Sequence, residues 1–199
     1  ASRLARGLAV VTLLAAPAAM AQQADPSAAE RLYEEGSKRL AAGDLAHACP
    51  MLDESQRIDP TAGGALAVAL CREREGKLAS AVTAYDAAAR LARGAGDAER
   101  ASAAETRAVA LRPRVPRVDI VIAPALRSRG PFVIVLDGEV VGSVDATSTR
   151  LELDAGSHRV EARAGDLVSE TATFEARDGA IAPVEIVARE AEQTPLRPP

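Results

Sequence analysis

The sequence predicts an α+β protein of two domains: an N-terminal solenoid of about five antiparallel helices and a C-terminal antiparallel β-sandwich of about seven short strands. Three observations predict it. Gly43-Asp44-Leu45-Ala46-His47-Ala48 returns 33 residues later as Gly76-Lys77-Leu78-Ala79-Ser80-Ala81, and a period of that size marks stacked helical hairpins. The texture changes at Arg112-Pro113-Arg114-Val115-Pro116, a stiff boundary. Beyond it, Val, Ile, Thr and Leu come in short runs broken by Gly, Asp and Pro, the pattern of strands and turns.

In chain order, residues 1–21 read as a signal peptide. Arg3 and Arg6 form a basic start, Leu8 to Ala16 is apolar, and Ala19-Met20-Ala21 places small residues where a signal peptidase cuts. The helical domain is expected over 22–111. Its first helix runs from about Ser27 to Ala42, with Ser27 as N-cap and Glu30 completing a capping box. The second runs from Leu45 to about Ile58, interrupted by Pro50 and stopped by Asp59-Pro60. The third spans about Ala62 to Glu75 and the fourth about Leu78 to Arg93, closed by Gly76 and Gly94. The fifth starts at an Asp97 N-cap and stops before Pro113.

Residues 112–116 form the linker, and the sandwich is expected over 117–189. Its strands are 117–122, 132–136, 140–144, 150–153, 158–163, 168–175 and 181–187. Asp137-Gly138 between apolar runs signals a two-residue hairpin turn. Residues 190–199, with Pro195, Pro198 and Pro199, read as a disordered tail.

The helical spacing resembles the tetratricopeptide repeat. Its small crossing residues match Gly36 and Ala48 in one hairpin and Ala69 and Ala81 in the next. Leu52 and Tyr85 match the large residue one turn later, and Pro60 the closing proline. Backbones about 8 Å apart leave no room for larger side chains at the crossing points. The chain departs from the family at Glu35, where leucine is usual, and at Arg39 and Arg72, where tyrosine is usual. The resemblance covers residues 28–93. Two hairpins are fewer than the three or more that bury a continuous core, so the fifth helix, the next domain or self-association should supply the missing contacts. Leu136-Asp137-Gly138-Glu139-Val140-Val141-Gly142 and Leu153-Asp154-Ala155-Gly156-Ser157-His158-Arg159-Val160 resemble the turns of the envelope-associated PEGA-type sandwich. That family's aromatic after the glycine matched by Gly165 is replaced here by Asp166 and Leu167.

By resemblance, the first helix of each hairpin would line a partner-binding groove. Tyr33, Ser37 and Leu40 would come from one hairpin, and Leu66, Leu70, Glu73 and Arg74 from the other. Tyr33, Leu66 and Leu70 also fit as core filling or as cover for the fifth helix. Cys49 and Cys71 are the only two cysteines. Outside the cytosol they would form a disulfide; as two buried thiols they would pack as small apolar groups.

The composition narrows the function classes. The net charge is -4 with both signs interspersed, and the aromatic residues are two Tyr and two Phe without Trp. Neither a basic footprint nor a base-stacking platform results, so nucleic acid is not an expected partner. His47 and His158 have no Ser or Cys in a nucleophile-elbow context, and Gly63-Gly64 is not followed by the Lys-Ser/Thr pair of a phosphate loop. No catalytic, cofactor or metal set emerges. The expected protein is exported, to the periplasm, the cell envelope or beyond, with no membrane span once the leader is removed. It is a non-enzymatic adaptor for a protein or peptide. The alternative is a structural envelope protein whose sandwich binds a wall or surface polymer, with the helices serving self-association.

Overall fold

The structure, a computed structural model, describes residues 26–124, 131–144, 148–164 and 167–187. The signal peptide, Gly165 and Asp166, and the tail 190–199 lie outside the described residues. Five helices come first: α1 (Pro26–Ala41), α2 (Leu45–Ile58), α3 (Ala62–Arg74), α4 (Leu78–Gly94) and α5 (Ala98–Leu111). A 3-10 turn (Arg112–Arg114) then leads into the strands.

The 33-residue period carries one helix ending at Gly43 and Gly76, and the same ending returns at Gly96. Gly43, Gly76 and Gly96 take φ of 81°, 78° and 77°, a left-handed conformation that a side chain would strain. Each closes the same pair of bonds, as in Gly43 N to Leu40 O and Asp44 N to Arg39 O, or Gly76 N to Glu73 O and Lys77 N to Arg72 O. The chain therefore reverses in the same way after α1, α3 and α4, and each new helix begins at Leu45, Leu78 and Ala98.

Two expectations for the helices are corrected. Ser27 is not the cap of α1: the helix already includes Pro26, and the Ser27 hydroxyl accepts from Arg31 one turn on. Pro50 does not interrupt α2, which runs through to Ile58. Ala46, whose carbonyl loses its donor, and Pro50 both lie on the exposed side, where water replaces the missing bond. Thr61 and Asp97 cap α3 and α5, accepting from Gly64 N and Arg100 N at 2.9 Å each.

The crossing residues are buried as their size requires. Ala48, Ala69 and Ala81 are fully inaccessible, as is Leu52. One apolar cluster joins Leu40, Ala48, Leu52 and the Cys49–Cys71 pair; a second runs from Ala65 through Tyr85 and Ala104 to Val115. Val115 and Pro116 are buried, so the boundary segment is packed against the helices.

The C-terminal part holds β1 (Arg117–Ile122), β2 (Phe132–Leu136), β3 (Glu139–Val144), β4 (Ser148–Glu152), β5 (Gly156–Ala164), β6 (Leu167–Val168), β7 (Ala172–Ala176) and β8 (Ile181–Ile186). They form a three-stranded sheet, β4-β1-β8, and a five-stranded sheet, β3-β2-β5-β6, with β7 also on β5. Val118, Ile120, Phe132, Ile134, Val160 and Ile186 fill the space between the sheets. Asp137 and Gly138 have φ of 51° and 91°, as the two-residue turn between β2 and β3 demands.

Two details differ from the expected strands. The stretch 168–175 divides into β6 and β7 because the buried Ser169 takes over the ladder: its hydroxyl accepts from Ala162 N at 2.9 Å and donates to Glu170 O at 2.8 Å. Pairing is antiparallel except between β1 and β8, which run parallel. These two strands are far apart in sequence, and the other strands form the long crossover that a parallel pair needs.

Helices and sandwich meet directly. Ser80 on α4 donates its N–H and its hydroxyl to Asp154 at 3.0 and 2.6 Å. Gly179 N donates to Arg114 O at 2.7 Å, and Arg114 pairs with Asp178 at 2.9 Å.

Candidate functional site: a groove along α1 and α3

Stacking two hairpins places their first helices side by side. On that side α1 and α3 frame an open groove of about 440 Å³ lined by Tyr33, Ser37, Leu40, Leu66, Leu70 and Arg74, with Arg100 reaching in from α5. Six of the seven residues assigned to the groove therefore meet in one place. They are not equivalent. Leu40 is buried in the core and Leu66 packs against the second cluster, so both form the floor. Tyr33 and Leu70 are 38% and 39% exposed and form the apolar walls. The Ser37 hydroxyl is enclosed without a hydrogen-bond partner among the described residues.

Glu73 is the exception. One turn of helix away from the groove wall, it turns toward α4 and α5, where it accepts from Tyr85 Oη at 2.9 Å and from Arg107 Nε at 3.0 Å. The Arg107 hydrogen bonds hold its carboxyl below the usual range, against the opposing effect of burial and with help from Tyr85. Burial, then the bond to Glu73, pushes the Tyr85 phenol up to about 12. Glu73 thus ties three helices together and is not a groove residue.

The groove continues toward the N-terminal ends of both helices. A second hollow of about 510 Å³ shares Tyr33 and Gly63 with the first and is bordered by Glu30, Asp59 and Thr61. The hollows adjoin where Gly63 faces Tyr33: a methyl there would stand 3.9 Å from the Tyr33 hydroxyl, an ordinary contact distance. The two ends carry opposite charge. Glu30 and Asp59 lie at one, and neither has a side-chain partner among the described residues. Arg74 lies at the other, its guanidinium donating to Leu40 O at 2.6 Å and pairing with no carboxylate among the described residues. Arg100 beside it is paired with Asp97 at 3.0 Å.

Sequence reasoning missed Glu30, Asp59, Gly63 and Arg100. Gly63-Gly64 was the available signal, since adjacent glycines on a helix mark a place where another group comes close.

The groove's shape depends on how α2 and α3 are held. Cys49 and Cys71 form a disulfide with a Cα separation of 5.6 Å, and both are buried. Arg39 and Arg72, one period apart, brace the two hairpins. Arg39 pairs with Glu35 at 2.8 Å and Asp44 at 3.1 Å. Arg72 pairs with Glu75 at 2.6 Å and with Asp53 on α2. Arg39 thereby ties α1 to the residue that opens α2, and Arg72 joins α3 to α2.

A cleft of about 660 Å³ also separates α3 and α4 from the sandwich, bordered by Asp137, Asp154 and His158. His158 Nδ1 lies 2.7 Å from Asp137 Oδ2 and Nε2 lies 2.9 Å from Asp154 O. Both ring nitrogens are engaged in holding turns, which leaves neither for activating a nucleophile. Among the described residues no cluster of three or more His, Cys, Asp or Glu is placed to hold a metal ion, and no helix is long and apolar enough to cross a membrane. Compared with known proteins, the chain matches no family model, no curated protein and no solved structure.

Proposed function

We propose that the protein is an exported, non-enzymatic adaptor of the tetratricopeptide type, which holds a protein partner in the groove along α1 and α3 while a PEGA-like sandwich positions it in the cell envelope. The observation that carries this reading is the convergence of Tyr33, Ser37, Leu40, Leu66, Leu70 and Arg74 on one open groove. Two exposed apolar side chains flank Arg74 there, which pairs with no carboxylate among the described residues, the combination that anchors interfaces: a ring, an aliphatic contact and an arginine. Export is supported by the basic, apolar and small-residue order of residues 1–21 and by a disulfide, which persists in oxidising compartments.

The test is affinity capture from an envelope fraction with the wild-type chain and with Tyr33→Ala, Leu70→Ala and Arg74→Ala variants. The three side chains are exposed enough for the variants to fold. Each variant is expected to retain less of the captured protein; equal retention by all three refutes the groove.

A further inference from the structure

Resting on that reading, we infer that the groove takes an extended internal segment of a partner protein carrying a basic residue at one end and an acidic residue at the other. The segment's basic side chain lies over Glu30 and Asp59, its apolar side chains over Tyr33, Leu66 and Leu70, and its carboxylate at Arg74.

Charge complementarity selects this occupant. The acidic end and the basic end are neighbours, because the two hollows adjoin at Tyr33 and Gly63, and a segment passing over the Tyr33 ring reaches both. Glu30, Asp59 and Arg74 are the groove's unpaired charges among the described residues, whereas Arg100 is neutralised by Asp97. An apolar helix from a partner would leave these charges facing its hydrophobic surface, and a uniformly charged segment would be repelled at one end. The spacing sets the length. From Glu30 to Ala41, α1 rises about 16 Å, which five extended residues span at about 3.3 Å each. Arg74 has one nitrogen committed to Leu40 O, so the remaining face of its guanidinium accommodates one carboxylate.

Four labelled pentapeptides with both termini blocked test this by fluorescence anisotropy. One has Lys first, three apolar residues and Asp last; the others carry Lys at both ends, Asp at both ends, or Gln at both. The bipolar peptide is expected to bind tightest, each mismatched end costing about fivefold at low salt. In the Arg74→Glu protein, checked for native helicity by circular dichroism, the preference is expected to pass to the peptide with two Lys. Equal binding of the bipolar and Gln peptides, no binding of the bipolar peptide, or an unchanged preference in Arg74→Glu overturns the inference. The capture experiment with the three Ala variants reports separately on whether the groove holds a protein at all.

Discussion

A methyl group added at Gly36 would stand 2.9 Å from Leu52 Cγ and 3.3 Å from Met51 Cβ. Neither atom is the loose end of a flexible chain, so the crossing of α1 and α2 must open to admit it. Gly36→Ala is expected to destabilise by about 1–3 kcal/mol, read as a lower urea midpoint at unchanged slope; an unchanged midpoint means the crossing is looser than the structure has it. Gly36, Ala48, Ala69 and Ala81 were legible because their smallness repeats with the period. Glu73 was not, because its partners Arg107 and Tyr85 lie 34 and 12 residues away and the spacing along α3 does not reveal which neighbour claims it. The burial of Tyr85 and its bond to Glu73 have a joint signature. In a Tyr33→Phe variant Tyr85 is the sole phenol, and its ionisation, followed by ultraviolet absorbance, is expected near pH 12. Because the folded value is raised, the stabilisation is complete below the free phenol's value of about 10 and is lost as pH rises through the folded one. Ionisation near pH 10 in the native protein would show that Tyr85 is neither buried nor bonded to Glu73 as the structure has it.

Between elements, the disulfide is the one covalent tie joining α2 to α3 among the described residues, across 22 positions of sequence. Replacing both cysteines by serine is expected to cost about 3 kcal/mol from loop entropy, with a further loss from burying two hydroxyls where Cys49 and Cys71 are 1% and 0% exposed. The same burial predicts that a thiol-specific reagent with reductant labels the native protein only at the rate of opening; rapid labelling under native conditions contradicts it. Sequence left the pair open between a bridge and two thiols, since the spacing of two cysteines carries no information on Cα separation. Strand boundaries were legible to within one or two residues where Gly or Asp–Gly punctuates them, as at Asp137-Gly138. They were not legible at Ser169, where a side chain substitutes for the backbone ladder, nor for the parallel pairing of β1 with β8, which closes strands from opposite ends of the domain.

At the scale of the molecule, the helices and the sandwich are coupled through a chain of polar contacts: Ser80 to Asp154, Asp154 O to His158, and His158 to Asp137. Burial raises the Asp137 carboxyl, but the N–H of Arg159 and the ring of His158 outweigh it and hold the group below its usual range. A depressed folded value stabilises above the unfolded carboxylate's value of about 3.9 and is lost as pH falls through the folded one. The urea midpoint is therefore expected to fall on acidification below about pH 4, and less so in Asp137→Asn; identical acid profiles would remove Asp137 from the coupling. The helical stack and the sandwich were legible as fold classes, but their contact was not, because Ser80 and Asp154 are 74 residues apart and neither belongs to a pattern. The groove is the feature on which function turns, and site-specific photo-cross-linking in an envelope fraction reads it directly. With the photoreactive residue replacing Leu70, one discrete cross-linked species is expected. The same probe replacing Val109 on α5 or Val140 on β3, which are 65% and 68% exposed, is expected to give none. A species captured equally from all three positions, or from Val109 or Val140 alone, would contradict a binding groove along α1 and α3.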